Sequence, residues 1–453
     1  GGGGGGGAIS GLAHPPPPTP PTWWSSHDGA LFVDGEPLLL KGVNWYGFQT
    51  DQGVVHGLYA QPPSVFYKIL EDNSFNAVRI PVDLDLILYD RKHGFIKPEP
   101  DEVEERAAET NACLAFAPGP AAEDDTLHAA ALNASSCGGP SPLMQNTSLQ
   151  VLEIMVDEFA KRGILVLLDL HCLSTKGTNA SPVFFDSSHT VAQALQGWGK
   201  LARSFGAKKN VLGADVFNEP FGATWATGQP TDMDVFAASV AEAVSTDAPN
   251  WLIFVEGTAH TSCKSVIDGD EVECAYGDNL HGPMSNSSAL DAVAARGKLV
   301  WSQHTYGPSQ HGRRPEFHNA NFPANMRDVW GDHWGALLES PGPDTSAVVL
   351  GEWGGPVSGD NGKWMNALVD YLIEKNSTSN FFWALNQDGN PEGIILDWTV
   401  NPPKLDAAKL ALLERLSEAG RRCMRFGQGG QRGRWSRCLS RTEAGCPLRS
   451  RRP

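Results

Sequence analysis

Short, nearly continuous apolar runs recur along the middle of the chain and are rich in Val, Ile and Leu. Eight of them span residues 38–45, 77–82, 164–171, 211–219, 251–257, 299–306, 347–353 and 381–386. Apolar and polar residues do not alternate within these runs, which is typical of strands buried on both faces of a parallel sheet. The pattern therefore predicts eight buried parallel strands.

Segments with helical periodicity lie between most of these strands. In one of them, residues at intervals of three and four share a helical face, namely Leu149, Leu152, Met155, Val156 and Phe159. The helix-like segments are 148–162, 191–205, 232–244 and 363–374. Eight strands that alternate with helices predict an α/β fold, namely a (β/α)8 TIM barrel. A doubly wound open sheet is the structural alternative, but no Gly-rich phosphate turn follows the first strand.

Two segments depart from this alternation. Ahead of the first strand, residues 31–34 and 37–40 flank Gly35 and predict a small hairpin that plugs the barrel floor. Residues 98–142, between strands 2 and 3, are rich in Pro, Ala and Glu. This insertion is too long for an ordinary barrel loop, so we expect either a functional lid or a disordered segment.

The two ends of the chain differ in composition from the barrel. Residues 1–22 hold seven consecutive glycines and a proline-rich run, which predicts a flexible and then polyproline-like spacer. From Arg421 onwards there are 10 Arg and a single acidic residue, and the hydrophobic periodicity is lost. We therefore expect a leader or linker at 1–27, the barrel domain at 28–420 and a basic, Cys-containing tail at 421–453.

Composition and charge exclude several classes of protein. Apolar residues make up 41% of the 453 residues, which excludes disorder of the whole chain. No apolar stretch approaches the roughly 20 residues of a membrane-spanning helix, so we expect no membrane partner. The net charge of −17 argues against a nucleic-acid partner. The first 420 residues carry −26, so a neutral substrate fits better than a phosphate or an acidic polysaccharide.

Cysteines and glycosylation sequons indicate an oxidising, secretory route. The chain has 8 Cys and five Asn-x-Ser/Thr sequons, at Asn133, Asn146, Asn179, Asn286 and Asn376. No signal peptide is visible, so an extracellular location is inferred from these residues alone. The simplest disulfide bridges are Cys113–Cys137 and Cys263–Cys274, whereas we expect Cys172 to be a buried, inert thiol.

Polar and aromatic residues end nearly every predicted strand. They are Asn44, Trp45, Arg79, His171, Asn218, Glu219, Glu256, His304, Tyr306, Glu352, Trp383 and Asn386. Functional side chains of such barrels project from the carboxyl ends of the strands. The sequence therefore predicts one polar cleft with aromatic walls. We expect Glu256 to brace its neighbours, and Trp23, Trp24, Trp330, Trp334 and Trp364 to pack in the core or against helices.

Glu219 and Glu352 end strands 4 and 7, nearly opposite each other around the barrel. Cleavage of a glycosidic bond needs such a pair, with one carboxylic acid to protonate the leaving oxygen and one carboxylate facing the anomeric carbon. Arg79 and Tyr306 are placed to keep one glutamate ionised, while burial raises the pKa of the other.

The motifs at these strand ends resemble glycoside hydrolase family 5, the cellulase-type retaining barrels, over about residues 30–416. The matching stretches are Lys41-Gly42-Val43-Asn44-Trp45, Ala77-Val78-Arg79-Ile80-Pro81, Leu168-Asp169-Leu170-His171, Val216-Phe217-Asn218-Glu219-Pro220, Phe254-Val255-Glu256-Gly257, His304-Thr305-Tyr306, Gly351-Glu352-Trp353 and Phe382-Trp383. Their order and their positions on the strands are those of the family.

The resemblance implies a role for each matching residue. Glu219 would be the general acid/base and Glu352 the nucleophile. Asn218 would reach the 2-hydroxyl of the sugar, Arg79 and Tyr306 would flank the nucleophile, and His171 and His304 would line the cleavage subsite. Trp383 would be a sugar platform. Asn44 is a further candidate in the binding site.

Residues 53–59 resemble the bacterial endo-β-1,4-glucanases of the family, with His56 in the binding site and Tyr59 as an aromatic platform in place of tryptophan. Three features depart from the family pattern. Leu385 stands where a second aromatic residue is frequent, and the 98–142 insertion and the basic tail have no counterpart that we recognise. The resemblance implies an enzyme that acts on β-glucan, and we expect it to be secreted and monomeric.

Other functions fit the sequence less well. A metal site built from Asp169, His171, His304 and Glu219 is one alternative, but no tight pair of histidines occurs, so we expect neither metal nor cofactor. A Ser-His-Asp hydrolase would need a Gly-x-Ser-x-Gly elbow, which is absent from the sequence. A non-catalytic polysaccharide-binding barrel would be expected to lack one of the two glutamates. A mannanase, a xyloglucanase or another β-glycanase stays open, because loop residues decide that choice.

Overall fold

The computed structural model describes residues 24–99, 142–175, 181–259, 264–267, 270–280, 288–339, 341–342 and 344–427. Several predictions fall outside these residues. They concern the spacer at 1–22, nearly all of the 98–142 insertion, the tail beyond Gly427, Trp23, Cys113, Cys137 and Cys263, and the sequons at Asn133, Asn179 and Asn286.

The chain begins with a three-stranded antiparallel sheet of β1 (Trp24–His27), β2 (Ala30–Val33) and β3 (Glu36–Leu38). The β2–β3 turn at Gly35 is the predicted hairpin, and its φ of 83° suits glycine. The expected boundary of the leader at residue 27 is wrong, because β1 belongs to this sheet. Trp24 is only 4% exposed, and its indole nitrogen donates a 3.1 Å hydrogen bond to the carbonyl of Val211.

Eight parallel strands close into the predicted barrel. In barrel order they are β4 (Lys41–Asn44), β5 (Ala77–Asp83), β6 (Leu165–Cys172), β7 (Val211–Asp215), β8 (Leu252–Glu256), β11 (Leu299–His304), β12 (Ala347–Gly354) and β13 (Asn380–Trp383). Nearly every residue of these strands is buried, which explains their continuous apolar pattern. The (β/α)8 fold is therefore confirmed, with β7 ending before Asn218 and Glu219, which lie in the loop after it.

Ten α-helices accompany these strands in the described residues. They are α1 (Pro63–Asp72), α2 (Leu84–Tyr89), α3 (Ser148–Lys161), α4 (Val191–Phe205), α5 (Met233–Val244), α6 (Asp291–Ala295), α7 (Pro308–His311), α8 (Met326–His333), α9 (Gly359–Glu374) and α10 (Ala407–Gly427). Short 3-10 helices lie at Pro142–Gln145, Pro315–His318 and Gly335–Leu338. Thr190 begins α4 with a capping box, and at the start of α3 the Thr147 amide donates to the side chain of Gln150, so a free backbone amide is satisfied at each start.

Tryptophans fill the space between helices, as predicted. Trp330, Trp334 and Trp364 are at most 1% exposed. Trp330 of α8 and Trp364 of α9 meet edge to face, with ring centroids 6.0 Å apart. These side chains therefore stabilise the barrel and do not form its cleft.

The last helix corrects the predicted start of the tail. α10 continues to Gly427, so a boundary at Arg421 falls inside a helix. The helix is joined to the barrel floor by an ion pair of 2.7 Å between Lys41 Nζ and Glu414 Oε2. None of the helices in the described ranges is long and apolar enough to cross a membrane.

Two small hairpins extend the carboxyl side of the barrel. One is β9 (Lys264–Ile267) with β10 (Asp270–Glu273), which follows β8, and the other is β14 (Ile395–Asp397) with β15 (Lys404–Leu405), which follows β13. Cys274, next to β10, is disulfide-bonded. Its predicted partner Cys263 lies outside the described residues, so the pairing stays a prediction. Cys172 is a free, buried thiol, as predicted, and burial raises its pKa.

Candidate active site

A cleft with about 1170 Å³ of open space lies at the carboxyl ends of the barrel strands. Seven predicted site residues line it, namely His56, His171, Asn218, Glu219, Tyr306, Glu352 and Trp383. They lie at the ends of six different strands or in the loops that follow these strands, so closure of the barrel brings them together. The predicted polar cleft with aromatic walls is thus present in the structure.

The Glu352 carboxylate near the end of β12 is held by two donors. Arg79 Nη1 lies 2.6 Å from its Oε1, and the Tyr306 hydroxyl donates a 2.7 Å hydrogen bond to its Oε2. The side chain is only 5% exposed. Two charge-assisted bonds fix the orientation of this carboxylate and favour its ionised form.

Glu219 reaches the cleft from the loop after β7. Its backbone has a φ of 44°, a left-handed conformation that is uncommon outside glycine. Its amide donates a 2.7 Å hydrogen bond to Glu256 Oε2, which helps to hold that conformation. Its Oε1 lies 3.2 Å from His304 Nδ1, and 19% of the side chain is exposed. The carboxyl group of Glu219 is therefore accessible from the cleft, and the buried residues Glu256 and His304 hold it in position.

The two glutamates differ in the groups that surround them. Burial raises the pKa of Glu219 well above its ordinary value, and the adjacent negative charge of Glu352 raises it further. Burial also raises the pKa of Glu352, but Arg79, His171 and the Tyr306 hydroxyl each lower it. The proton that the pair holds at neutral pH is therefore expected on Glu219, with Glu352 ionised.

The two carboxyl groups face each other at short range. One oxygen of Glu219, one oxygen of Glu352 and a ring nitrogen of His304 all lie within 4.8 Å of one another. Burial lowers the pKa of His304 well below its ordinary value, and the Arg79 charge lowers it further, so the imidazole is neutral. A protonated acid, an ionised carboxylate and a neutral imidazole therefore converge on one point of the cleft.

A buried charge network lies beneath this pair. The Arg79 guanidinium is 2.9 Å from Asp215, 3.0 Å from Glu256 and 3.1 Å from Asp169, and it also contacts Glu352. Burial raises the pKa of Asp215 to about 7, because Arg79 offsets only part of the desolvation and Asp169 adds a like charge. Asp169 also contacts His171, with 2.7 Å between its Oδ2 and the Nδ1 of the ring. The network orients the residues of the cleft floor.

Aromatic rings form one wall of the cleft. Trp383 lies nearly parallel to Tyr46, with centroids 5.3 Å apart, and to His171 at 5.8 Å. The Tyr46 hydroxyl donates a 2.6 Å hydrogen bond to Asp388 Oδ1, and His56 Nδ1 lies 2.8 Å from Asp388 Oδ2. A flat apolar surface bordered by a carboxylate suits a ligand with both a flat apolar face and hydroxyl groups.

Comparison with known proteins agrees with this geometry. The sequence model of the family described as Cellulase (glycosyl hydrolase family 5) matches residues 126–389, more than half of the chain. The chain belongs to glycosyl hydrolase family 5. The resemblance stated from its motifs is thereby confirmed, and the chain is a glycoside hydrolase.

Matches to individual relatives cover most of the chain. An endoglucanase of Paenibacillus polymyxa is 28% identical, and the match covers 82% of this chain and 82% of that protein. A major extracellular endoglucanase of Xanthomonas campestris is 32% identical over 81% of this chain and 66% of that protein. A solved structure of an endocellulase variant from Pyrococcus horikoshii in complex with cellotetraose is 27% identical, with a TM-score of 0.67 over 87% of this chain and 98% of that one.

Not every predicted site residue of this family 5 enzyme reaches the cleft surface. Asn44, Arg79 and His304 have no exposed surface and act from beneath it. Asn44 accepts a hydrogen bond from Arg79 and donates a 3.0 Å bond to the carbonyl of Gly351. Tyr59 is 40% exposed and its hydroxyl is 3.4 Å from Asp388, so it lies at the edge of the site.

Two further sequence positions proved to be structural. Trp45 is completely buried among Phe66, Tyr67 and Phe159, on the outer side of the barrel strand. Leu385 is also completely buried, so the family 5 enzyme has no aromatic side chain in the cleft at this position.

Sequence reasoning missed several residues of the cleft, including Tyr46, Asp388 and Tyr276. Tyr46 was detectable in principle, because side chains of an extended segment alternate and Asn44 and Tyr46 therefore share a side. Asp388 and Tyr276 lie in loops, where no periodicity places a side chain. Only the folded structure brings them to the cleft.

The alternative metal site does not suit the observed contacts. The Arg79 guanidinium already occupies the space between Asp169, Asp215 and Glu256, and its positive charge would repel a cation there. Asp169 is further engaged by His171. The arrangement instead favours chemistry carried by the two glutamates themselves.

Proposed function

We propose that this family 5 member is an endo-β-1,4-glucanase that cleaves with retention of anomeric configuration. Glu352 is the nucleophile and Glu219 is the general acid/base. The observation that carries this proposal is the separation within 4.8 Å of oxygens from the two carboxyl groups. Retaining glycosidases place their carboxyl groups about 5–5.5 Å apart, whereas inverting enzymes need about 6.5–9.5 Å to admit a water molecule.

In the first step, the ionised Glu352 attacks the anomeric carbon of the sugar. The bond between this carbon and the glycosidic oxygen breaks, and Glu219 gives its proton to that oxygen as the leaving chain departs. Arg79 and Tyr306 keep Glu352 ionised and oriented for this attack. The product of the step is a glycosyl ester of Glu352 together with a Glu219 carboxylate.

In the second step, the Glu219 carboxylate removes a proton from a water molecule that attacks the anomeric carbon. The ester bond to Glu352 breaks, and both glutamates return to their starting protonation states. Since water enters from the face that the leaving group left, the product keeps the β-configuration. Asn218, whose Oδ1 accepts a 2.9 Å bond from Arg79 Nη2, presents its amide toward the 2-hydroxyl of the sugar.

The choice of β-1,4-glucan as substrate is supported by the charge and by the relatives. The net charge of −17 disfavours acidic polysaccharides, and the Trp383 and Tyr46 rings suit the flat apolar faces of β-glucose units. The relatives whose matches cover most of the chain are endoglucanases, and a structurally similar endocellulase was solved in complex with cellotetraose. An open cleft suits attack within a chain.

The remaining parts of the proposal concern the context of the enzyme. An extracellular location is supported by the extracellular relative and by the disulfide-bonded Cys274. We further infer a monomeric catalytic unit that extends from Trp24 to Gly427, because the floor sheet and α10 both pack on the barrel.

Reducing-sugar release from carboxymethylcellulose, barley β-glucan, xyloglucan and β-mannan tests the substrate. We expect release from the first two and a rapid fall in the viscosity of carboxymethylcellulose. NMR of the earliest products of cellopentaose should show the β-anomer. Release from mannan alone would overturn the choice of substrate, and an initial α-anomer would overturn the retaining mechanism.

A further inference from the structure

His304 is a buried imidazole that stands between two carboxyl groups. Its Nδ1 lies 3.2 Å from Oε1 of Glu219, and its Nε2 lies 3.3 Å from Oε1 of Glu256. Among the described residues, Nε2 has no other hydrogen-bond partner. Neither His304 nor Glu256 has any exposed surface. The three side chains therefore form a row, with one end at the cleft and the other end inside the barrel.

Two glycines hold the imidazole of His304 in this orientation. A Cβ atom on Gly277 would lie 2.8 Å from the Cβ of His304, and one on Gly351 would lie 2.8 Å from its Nε2. Because the backbone packs this closely against the ring, the imidazole has little room to turn. The approach of both ring nitrogens to carboxyl oxygens is thus built into the fold.

The surroundings of the row determine where protons are held. Burial lowers the pKa of His304, so the ring is neutral, with one N–H and one nitrogen lone pair. Burial raises the pKa of Glu219 and that of Glu256 well above the ordinary value. A neutral imidazole with a carboxyl group at each nitrogen is able to accept a proton at one end and donate one at the other.

Charged groups on neighbouring strands act on the inner carboxyl group. The groups that face Glu256 or His304 are Arg79, Asp169, His171, Asp215, Glu219 and Glu352. The single Arg79 guanidinium offsets only part of the negative charge of these carboxylates. A proton on Glu256 would therefore relieve repulsion inside the barrel.

We propose that Glu219 and Glu256 share one proton through the imidazole of His304, so that Glu256 is a positioning residue for the proton of the acid/base. In one state, the Glu219 O–H donates to Nδ1 while the Nε2–H donates to the Glu256 carboxylate. Transfer of both protons along the row gives the other state, with an Nδ1–H ring, a Glu219 carboxylate and a protonated Glu256. One O–H and one N–H bond break and one of each forms, so no charge is created. This inference rests on the proposed role of Glu219.

Sharing predicts a specific pH dependence. A shared proton leaves at a higher pH than a proton on Glu219 alone, because two sites hold it and the two carboxylates repel each other once it is lost. In Glu256→Gln, the alkaline limb of kcat/KM on cellopentaose should therefore move to lower pH by about one unit. Glu242→Gln, in an exposed residue of α5, is the matched control and should leave the limb in place.

A double-variant comparison separates proton sharing from a simple loss of charge. His304→Gln interrupts the row but keeps the Glu256 carboxylate, and the alkaline limb should again move to lower pH. With both substitutions, the shift should be much smaller than the sum of the two single shifts. Independent electrostatic effects would instead add.

Nitrogen-15 NMR of His304 tests the sharing without any catalysis. In wild-type enzyme labelled with nitrogen-15 histidine, both ring nitrogens should have intermediate chemical shifts at neutral pH, because the two tautomers exchange. In Glu256→Gln the proton stays on Glu219, so a single tautomer with Nε2–H is expected. The His304 signals are identified by their loss in His304→Gln.

A single tautomer of His304 in the wild type would overturn the inference, as would an unchanged alkaline limb in Glu256→Gln or additive shifts in the double variant. Failure of the proposed function would look different. A wild type that cleaves no β-1,4-glucan would overturn that function, while the NMR spectra would still decide whether the proton is shared.

Discussion

Glu256 holds the backbone of Glu219, the proposed acid/base. The amide of Glu219 donates a 2.7 Å hydrogen bond to Oε2 of Glu256, while Oε1 of the same carboxylate lies 3.0 Å from Arg79 Nη2. Arg79 in turn holds Glu352. One buried carboxylate therefore links Glu219 and, through Arg79, Glu352, so we expect Glu256 to be a positioning residue.

We expect Glu256→Ala to impair the acid/base step more than the nucleophilic step. Without its acceptor, the left-handed backbone at Glu219 loses its support, and a shift of about 1 Å costs roughly 100-fold in rate. The loss should be large on cellopentaose and small on 2,4-dinitrophenyl β-cellobioside, whose leaving group needs no proton. Steady-state kinetics on both substrates measure this difference.

Glu256→Gln keeps a side-chain oxygen and should restore part of the activity on cellopentaose. Glu242→Ala, in an exposed residue of α5, is the control for removal of a glutamate and should leave both rates unchanged. An equal loss on the two substrates would show that Glu256 has no selective effect on Glu219.

Replacement of the two proposed catalytic glutamates should give different kinetic results. Glu352→Gln removes the group that forms the glycosyl ester, so turnover should fall by several orders of magnitude on every substrate. Glu219→Ala should still react with 2,4-dinitrophenyl β-cellobioside in the first step but should then accumulate the glycosyl-enzyme, because no base activates water. Pre-steady-state release of dinitrophenolate measures this burst.

Azide distinguishes the two roles directly. It needs no deprotonation, so it should rescue Glu219→Ala and give a β-glycosyl azide. With Glu352→Ala, azide should attack from the opposite face and give the α-azide. Reversed anomers in the NMR spectra of the products would mean that the two roles are exchanged.

The acidic side of the pH–activity profile should depend on Tyr306. Its hydroxyl donates to Glu352 and lowers the pKa of that carboxyl group. In Tyr306→Phe this stabilisation of the charged form is lost, so the pKa of Glu352 should rise. The ionised nucleophile would then form only at higher pH, and the acidic limb of kcat/KM should shift upwards.

The alkaline limb should stay nearly in place in Tyr306→Phe, because it reports loss of the proton from Glu219. Profiles of kcat/KM on cellopentaose between pH 3 and 9 would show both limbs. A parallel shift of both limbs, or of the alkaline limb alone, would contradict the assignment of Glu352 as the ionised group.

The sequence predicted the fold and the floor of the cleft for a physical reason. Strands buried on both faces appear in the sequence as long apolar runs. A polar residue at the end of such a run is therefore conspicuous, and in a barrel it points to the functional cleft. Arg79, Glu352 and His304 were found in this way. Tyr276 and Asp388 were not, because a loop carries no period from which the direction of a side chain follows.

The ends of the barrel domain were predicted less well for a related reason. Residues 24–27 form a short strand whose hydrogen bonds are satisfied by β2, and a four-residue strand gives almost no pattern in sequence. At the other end, α10 continues past Arg421 although arginine-rich sequence replaces the apolar period there. At the first place, pairing with β2 determines the strand. At the second, the helix continues from the turns that precede Arg421.

These two corrections lead to a prediction about the minimal stable enzyme. A chain of residues 24–427 should unfold at the same denaturant concentration as the full protein and hydrolyse soluble β-glucan at the same rate. A chain of residues 28–427 lacks β1 and with it Trp24, whose buried ring packs under the barrel and whose indole bonds to Val211. Loss of a buried tryptophan costs about 3–5 kcal/mol of unfolding free energy.

Trp24→Ala in the 24–427 chain should reproduce most of that loss, because the ring and its hydrogen bond are the main contacts removed. Val235→Ala, in a residue that is 53% exposed on α5, is the control for truncation of an apolar side chain and should change stability little. Urea unfolding followed by tryptophan fluorescence and by circular dichroism measures each value. If the 28–427 chain were as stable as the 24–427 chain, the first strand would contribute nothing to the barrel floor, and the boundary at residue 27 would be restored.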